Sequence, residues 1–213
     1  AGHHRRHHAH ADGPEDVHSP ARVGFFRSHM GWFLAPENYG TPWRYVSDWR
    51  RYPELLWLNR LEAVPFLALA AGLYGAGEAL AAWAPGAGAD GAQMLVWGFV
   101  VSTVALYHAT YTINSLAHSW GRQRFDTGDD SRNNWLLALL TLGEGWHNNH
   151  HFAPDSARQG FRWWELDPTW YALRALAAVG LIWDLRPVPE AARSDRQPEA
   201  GKEARALPRS ASP

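Results

Sequence analysis

Two stretches of the chain carry the same uncommon spacing of histidines. His4-Arg5-Arg6-His7-His8 and His147-Asn148-Asn149-His150-His151 both read HxxHH, with His3 and His10 beside the first. On a helix, positions i, i+3 and i+4 share a face, so each motif can aim three imidazoles at one region. Neutral imidazole is the commonest protein ligand for transition metals, and such a face suits metal binding. The first run alone reads equally well as a low-complexity His-rich tract that binds metal loosely, or as an expression remnant. Its repetition far downstream, after Leu142-Gly-Glu-Gly-Trp146, argues against chance.

A third element is Asn114-Ser-Leu-Ala-His118. On a regular helix Tyr107, Tyr111, Asn114 and His118 fall on nearly one line, a polar stripe on an otherwise apolar segment. The stripe makes His118 a candidate ligand and lets Asn114, one turn earlier, hold a metal-bound water. Bonding of both residues to neighbouring helices is equally consistent with the pattern. His108 falls off the stripe and reads as a packing or hydrogen-bonding residue. His18 and His29 stand alone in a connector and favour structural or surface roles. Glu144, Asp126, Asp129 and Asp130 lie near the ligand groups in sequence, where carboxylates can orient imidazoles through the second ring nitrogen.

His4, His7, His8, His118, His147, His150 and His151 are more imidazoles than one tetrahedral zinc needs, so two metals are implied. The chain contains no Cys, so disulfides are excluded and any metal is held by nitrogen and oxygen. A hydrolytic zinc enzyme keeps about three ligands. So many histidines beside apolar helices favour two irons activating O₂.

Two segments, about 64–83 and 94–113, are long and apolar enough to span a bilayer as the pair that positions these motifs. The loop between them is short, rich in Gly and free of Lys and Arg. Arg44, Arg50, Arg51 and Arg60 flank one side and Arg122, Arg124 and Arg132 the other, so both flanks are expected on the cytoplasmic side. Trp49, Trp57 and Trp83 suit interfacial anchors. The competing reading is two buried helices of a soluble protein, which Glu78 inside the first segment favours. Residues 170–183 are too short to span and are expected as an amphipathic helix at the interface. Residues 186–213 lack large apolar side chains and read as a disordered tail. The formal net charge of −1 gives no basic field, so no nucleic-acid partner is expected. The chain opens on Ala1 without an initiator Met and reads as a fragment.

Taken together with Asp16-Val-His18, Gly24-Phe-Phe26, Ser28-His-Met-Gly-Trp32, Asp129-Asp-Ser-Arg-Asn-Asn134 and Trp183-Asp-Leu-Arg186, these motifs resemble the membrane acyl-CoA Δ9-desaturases of the stearoyl-CoA desaturase type, over nearly all of residues 4–186. The resemblance implies an all-α fold, with residues 1–185 as the C-terminal portion of a desaturase domain: a transmembrane helical hairpin, two spans of a parent four-helix bundle, with a cytosolic histidine-rich di-metal part. It implies two iron ions ligated by His4, His7, His8, His118, His147, His150 and His151, with Asn114 acting through water. It implies a cis double bond introduced at C9 of a fatty acyl thioester of CoA or a carrier protein. O₂ and a small electron donor, cytochrome b5-like or ferredoxin with its reductase, would be co-reactants. Arg5, Tyr107 and Tyr111 are the expected substrate contacts. The family's HxxxxH box and preceding helices are absent from this sequence, which leaves the activity of the isolated chain in doubt. The alternatives are a membrane di-iron alkane or fatty-acid hydroxylase, and a non-enzymatic metal-handling protein. The Ala- and Arg-rich composition suggests a GC-rich bacterial genome and hence an inner-membrane location.

Overall fold

The computed structural model describes residues 1–193, and the remainder of the expected tail, 194–213, lies outside the described residues. Among the described residues the regular structure is all helical, and the pairings Arg122 with Asn133 and Asn133 with Trp146 are isolated bridges. The chain forms two compact units, one of residues 1–5 and 40–108, the other beginning at 6–39 and resuming at 109.

The first unit is a helical hairpin with a short lead-in. Helix α1, Gly2–His10, begins in it. Helix α2, Pro53–Arg60, starts on a proline whose missing N–H costs nothing at the first helical position, with Glu54 in its first turn. Before it, Arg44, Arg50 and Arg51 lie over the rings of Tyr45, Trp43 and Tyr52, a cation–π belt ahead of the first long helix. That helix, α3, is Ala63–Trp83. The returning helical run, Gly91–His118, contains a turn at Gly91–Gln93, a wider stretch at Met94–Val101, helix α4 at Ser102–Ser115 and a tight last turn at Leu116–His118. The expected spans thus match two continuous helical segments.

Glu78, the one charge in the first span, has a local role. Its Oε1 accepts the Gly91 N–H at 3.1 Å, while Asp90 caps the same helix start by accepting the Gln93 N–H at 2.8 Å. The two helices touch here so closely that a Cβ on Gly77 would overlap the Asp90 carbonyl, which explains a buried glycine on an apolar helix. Leu73 meets Gly98, and Phe66 packs edge-on to Tyr107, so the pair runs antiparallel.

Of the most apolar stretch of each helix, 6% of the first and 0% of the second is buried. Core helices of a soluble protein would be covered. These present Leu67, Leu69, Val96, Trp97, Val104 and Leu106 outward, as a lipid-facing hairpin does.

The second unit is held less by apolar packing than by buried polar bonds. Its helices include α5, Trp135–Leu140; α6, His147–Phe152; and α7, Pro168–Ala178. Among the described residues it has two small apolar clusters: Ile113, Ala117 and Leu137; and Phe125, Ala153, Phe161, Val188 and Ala192, with Phe125 and Phe152 stacked at 4.0 Å. The second cluster alters the expected tail boundary. Val188 and Ala192 are buried, and Arg124 donates to the Ala192 carbonyl at 3.0 Å, so packed structure runs to Arg193. The expected helix over 170–183 stops at Ala178, because Gly180 takes a φ of 74° and Asp184 one of 57°, both left-handed. Its outward Tyr171 and Leu176, with Val179 just past its end, keep the apolar face that the sequence suggested.

Candidate metal centre

Four imidazoles from three separate segments meet inside the second unit. His7 comes from α1, His118 from the tight turn ending the long helical run, and His147 and His151 from α6. His118 Nε2 lies 3.1 Å from His147 Nε2, which lies 3.1 Å from His151 Nε2, which lies 3.4 Å from His7 Nε2. One ligand atom from each of the four lies within 4.8 Å of every other. His7, His118 and His147 are at most 5% exposed.

The opposite ring nitrogens explain the convergence. His7 Nδ1 is 2.8 Å from Asp16 Oδ2, His118 Nδ1 is 2.9 Å from Asp12 Oδ2, and His151 Nδ1 is 2.8 Å from Asp129 Oδ2. An ionised carboxylate only accepts, so each of these Nδ1 atoms carries a hydrogen and donates it. The Nε2 atoms of His7, His118 and His151 then hold lone pairs, and those of His7 and His151 face each other at 3.4 Å with no proton between them, an arrangement that is repulsive unless a cation sits beside them. His147 Nε2, 3.1 Å from those of His118 and His151, can present either a lone pair or a proton to them. Two imidazoles on one metal at ~2.0–2.1 Å stand roughly 2.9–3.4 Å apart, which the observed separations match. The residues fit a nitrogen-ligated transition metal.

Electrostatics agree with this assignment. Burial and the neighbouring imidazoles push His147 well below the ordinary histidine value, and burial lowers His151 despite Asp129, so both are neutral at pH 7. Burial would raise Asp12, but hydrogen bonds from His118, Ser19 and the Asp130 amide outweigh it and bring it down to about 2. Asp16 and Asp129 are depressed in the same way, against their burial, by His7 and His151 respectively.

Beside this group, His8 and His150 face each other through Nε2 at 2.9 Å with rings at 82°. His4 lies one helical turn before His8 on α1 and is exposed. An open polar cleft of about 340 Å³, lined by His8, His10, Thr127 and Asp129 among others, reaches His8 from solvent.

The two asparagines inside the second motif position it. Asn148 and Asn149 are fully buried. Asn148 Oδ1 accepts the Arg124 and Phe125 N–H groups at 2.7 Å each, and its amide donates to the Phe125 carbonyl and Ser131 Oγ. Asn149 donates to Glu165 Oε2 and the Gln159 carbonyl and accepts from Asn133. Glu165 also accepts the Phe161 and Arg162 N–H groups, while Asp167 accepts those of Gln159 and Gly160 and caps α7 at Trp170. Satisfied buried networks of this kind fix a unique geometry.

The glycines before the motif have equally specific causes. Gly143 has a φ of 122° and faces Asp167, and a Cβ on Gly145 would overlap the backbone of Leu137 and Ala138 in the middle of α5. Gly145→Val is therefore expected to destabilise the second unit by about 1–3 kcal/mol and to lower metal content with it. Thermal melting in detergent beside metal analysis checks this; unchanged melting would mean α5 gives way freely.

Other sequence-predicted residues take varied places. Asn114 is half-buried one turn before His118, its carbonyl accepting the Ser28 hydroxyl at 2.9 Å. The regular stripe through 107, 111, 114 and 118 is broken, because the last turn is tighter than an α-helix. Tyr107 is exposed against Phe66, and Tyr111 packs on Phe33 at 4.9 Å and His29 at 5.6 Å. His29 Nδ1 is 3.0 Å from Ser115 Oγ, a structural contact as expected for it. His18 is buried instead, its ring 4.4 Å from His7 and its Nδ1 3.4 Å from Asp16 Oδ1. Arg5 is paired with Asp48 at 2.6 Å and lies over Trp49. Of the acidic group, Asp129 reaches an imidazole, Asp126 accepts the Gly128 N–H in its own loop, and Glu144 is exposed. Asp12 carried no motif signal, and Asp16 appeared in the sequence only as part of a resemblance.

A profile of the fatty acid desaturase family matches residues 1–184. The chain belongs to that family. Among curated desaturases, it is 41% identical over 197 residues to the chloroplastic palmitoyl-monogalactosyldiacylglycerol delta-7 desaturase of Arabidopsis thaliana, covering 91% of this chain and 49% of that one. It is 40% identical to the icosanoyl-CoA 5-desaturase of Limnanthes douglasii, over 88% of this chain and 50% of the relative. It is 37% identical to the sn-2 palmitoyl-lipid 9-desaturase of Nostoc sp., over 84% and 60%. The chain thus spans about half the length of the curated relatives it matches. These desaturases are named for different bond positions and for both lipid-linked and CoA-linked acyl chains.

Proposed function

We propose that this chain forms the metal-binding part of an oxygen-dependent fatty acyl desaturase that introduces a cis double bond, at C9, into a saturated acyl chain. The observation that carries the reading is the convergence of four imidazole nitrogens, three of the rings backed by carboxylates, in a member of this family. The balance of the reaction is loss of two hydrogens from adjacent CH₂ groups, with O₂, two electrons and two protons giving two waters. A pair of irons would supply the power to break an unactivated C–H bond.

The residues of the chain do the rest. His7, His118, His147 and His151 hold one metal position; His8 and His150, with His4 one turn away, hold the second; and Asn114 contributes through water. Asp12, Asp16 and Asp129 keep the ring tautomers that leave Nε2 free to ligate. Tyr111, packed on Phe33, and Tyr107 are proposed to border the acyl chain. Arg5, already paired with Asp48, is proposed for the anionic end of the substrate. The acyl chain is proposed to be carried by CoA, by a carrier protein or by a lipid, as the names of the relatives span both CoA-linked and lipid-linked substrates. Electrons come from a small donor protein, cytochrome b5-like or ferredoxin with its reductase. The hairpin lies in the bilayer of a bacterial inner membrane, with the arginine-flanked ends and the metals on the cytoplasmic side.

Fatty acids of a host expressing the chain within its full reading frame, resolved by gas chromatography with double-bond derivatisation, test the proposal. New cis-monounsaturated chains with the bond at C9 are expected. Hydroxylated products would replace the reading with the hydroxylase, and an unaltered profile from an expressed, iron-loaded protein would leave a metal-binding protein without this activity.

A further inference from the structure

Asp12 belongs to neither histidine motif, yet two of the four converging histidines are tied to it. Its Oδ2 accepts the His118 Nδ1–H at 2.9 Å and the Asp130 N–H at 2.9 Å, and its Oδ1 accepts the Ser19 hydroxyl at 2.6 Å. Its own N–H donates to Asp16 Oδ2 at 2.9 Å, the oxygen that also accepts the His7 Nδ1–H at 2.8 Å. Its carbonyl accepts Arg22 Nε–H at 2.6 Å. The side chain thus reaches His118, and the main chain reaches His7 through Asp16.

Both connections depend on the backbone. Asp12 has a φ of 55°, in the left-handed region that few residues other than Gly, Asn and Asp adopt. Strained positions of this kind persist where surrounding bonds over-determine them, and they cluster at functional sites. Here five hydrogen bonds surround one residue, and four of them lead to histidines or to the connector and loop segments around them. An ordinary turn would not require a carboxylate at this point, since Gly would satisfy the backbone alone.

We infer that Asp12 is a positioning residue that presets the orientation of His118 and, through Asp16, of His7, so that the four-imidazole site is assembled before metal arrives. The inference rests on reading the four Nε2 atoms as a metal position. Two substitutions separate positioning from simple structural support. Asp12→Gly keeps the left-handed backbone and the N–H to Asp16 but removes the carboxylate. Asp12→Asn keeps an oxygen that can accept from His118 without the charge.

The test is cobalt(II) titration of the metal-free full chain in detergent, followed by visible absorption against a competing chelator, beside thermal melting of each metal-free protein. Asp12→Gly is expected to weaken cobalt binding roughly 10- to 100-fold and to shift the absorption bands. Asp12→Asn should fall between it and the parent, with metal-free melting nearly unchanged. Equal affinity and an unshifted spectrum in Asp12→Gly, with the parent binding cobalt, would overturn the inference alone. So would losses that track metal-free melting in both variants with no spectral change. A parent chain that binds no cobalt would overturn the metal-site reading and this inference together.

Discussion

His147→Ala is expected to eliminate metal from the four-histidine position and to abolish product formation in the host assay. His147 is the central member of the group, 3.1 Å from both His118 and His151 through the same nitrogen. Losing an outer carboxylate from a ligand costs ~10–100-fold in metal affinity, and losing the ligand itself must cost more. The substitution also leaves a cavity at a site that is 3% exposed, between two rings held in place by Asp12 and Asp129. Those rings cannot close the gap without breaking their carboxylate bonds. Metal analysis of purified protein and fatty-acid profiling check the prediction. A variant with full metal content and undiminished product would place the centre elsewhere. The fold should survive, because the adjoining Asn148 and Asn149 anchor α6 independently of metal.

The part of this centre legible in the sequence was the part with a spacing. HxxHH identifies a helical face, and α1 and α6 present those faces as the pattern implies. His118 was legible through a stripe that assumed a regular helix; the histidine arrives, but on a tighter turn. The spans were legible from length and apolar content, and Glu78, which counted against membrane insertion, proves to be a cap on the returning helix. Contacts without periodicity were hidden. Asp12 and Asp16 lie in an irregular connector where no pattern tells a ligand-orienting carboxylate from a solvated one, and the acidic run at 126–130 offered several equivalent choices of which geometry selects Asp129. Asn148 and Asn149 are the unspecified positions of HxxHH, and their role was hidden because the loops they hold are distant in sequence. Residues 186–193 looked like tail because burial there depends on two small apolar residues, Val188 and Ala192, that composition averages away.

Acid should destabilise the metal-free protein beginning near pH 6.5. His147 and His151 have the ordinary histidine value of 6.5 when unfolded, and burial among other imidazoles lowers both in the folded chain. The folded state therefore binds fewer protons than the unfolded state below that pH. Stability is level above about 6.5 and falls as pH decreases toward the depressed folded values. The carboxylates act lower on the scale and in the same direction. Asp12, ordinarily 3.8 and held at about 2, contributes stability that is full above 3.8 and lost as pH falls through 2. Between pH 6.5 and 4 the histidines thus set the slope. Thermal melting of metal-free protein from pH 8 to 4.5 should show a plateau and then a decline, and His147→Gln with His151→Gln should flatten the decline even if the plateau is lower. A melting temperature that does not change across this range would mean the imidazoles are not held neutral, and the neutral state assigned to His147 and His151 would have to be given up.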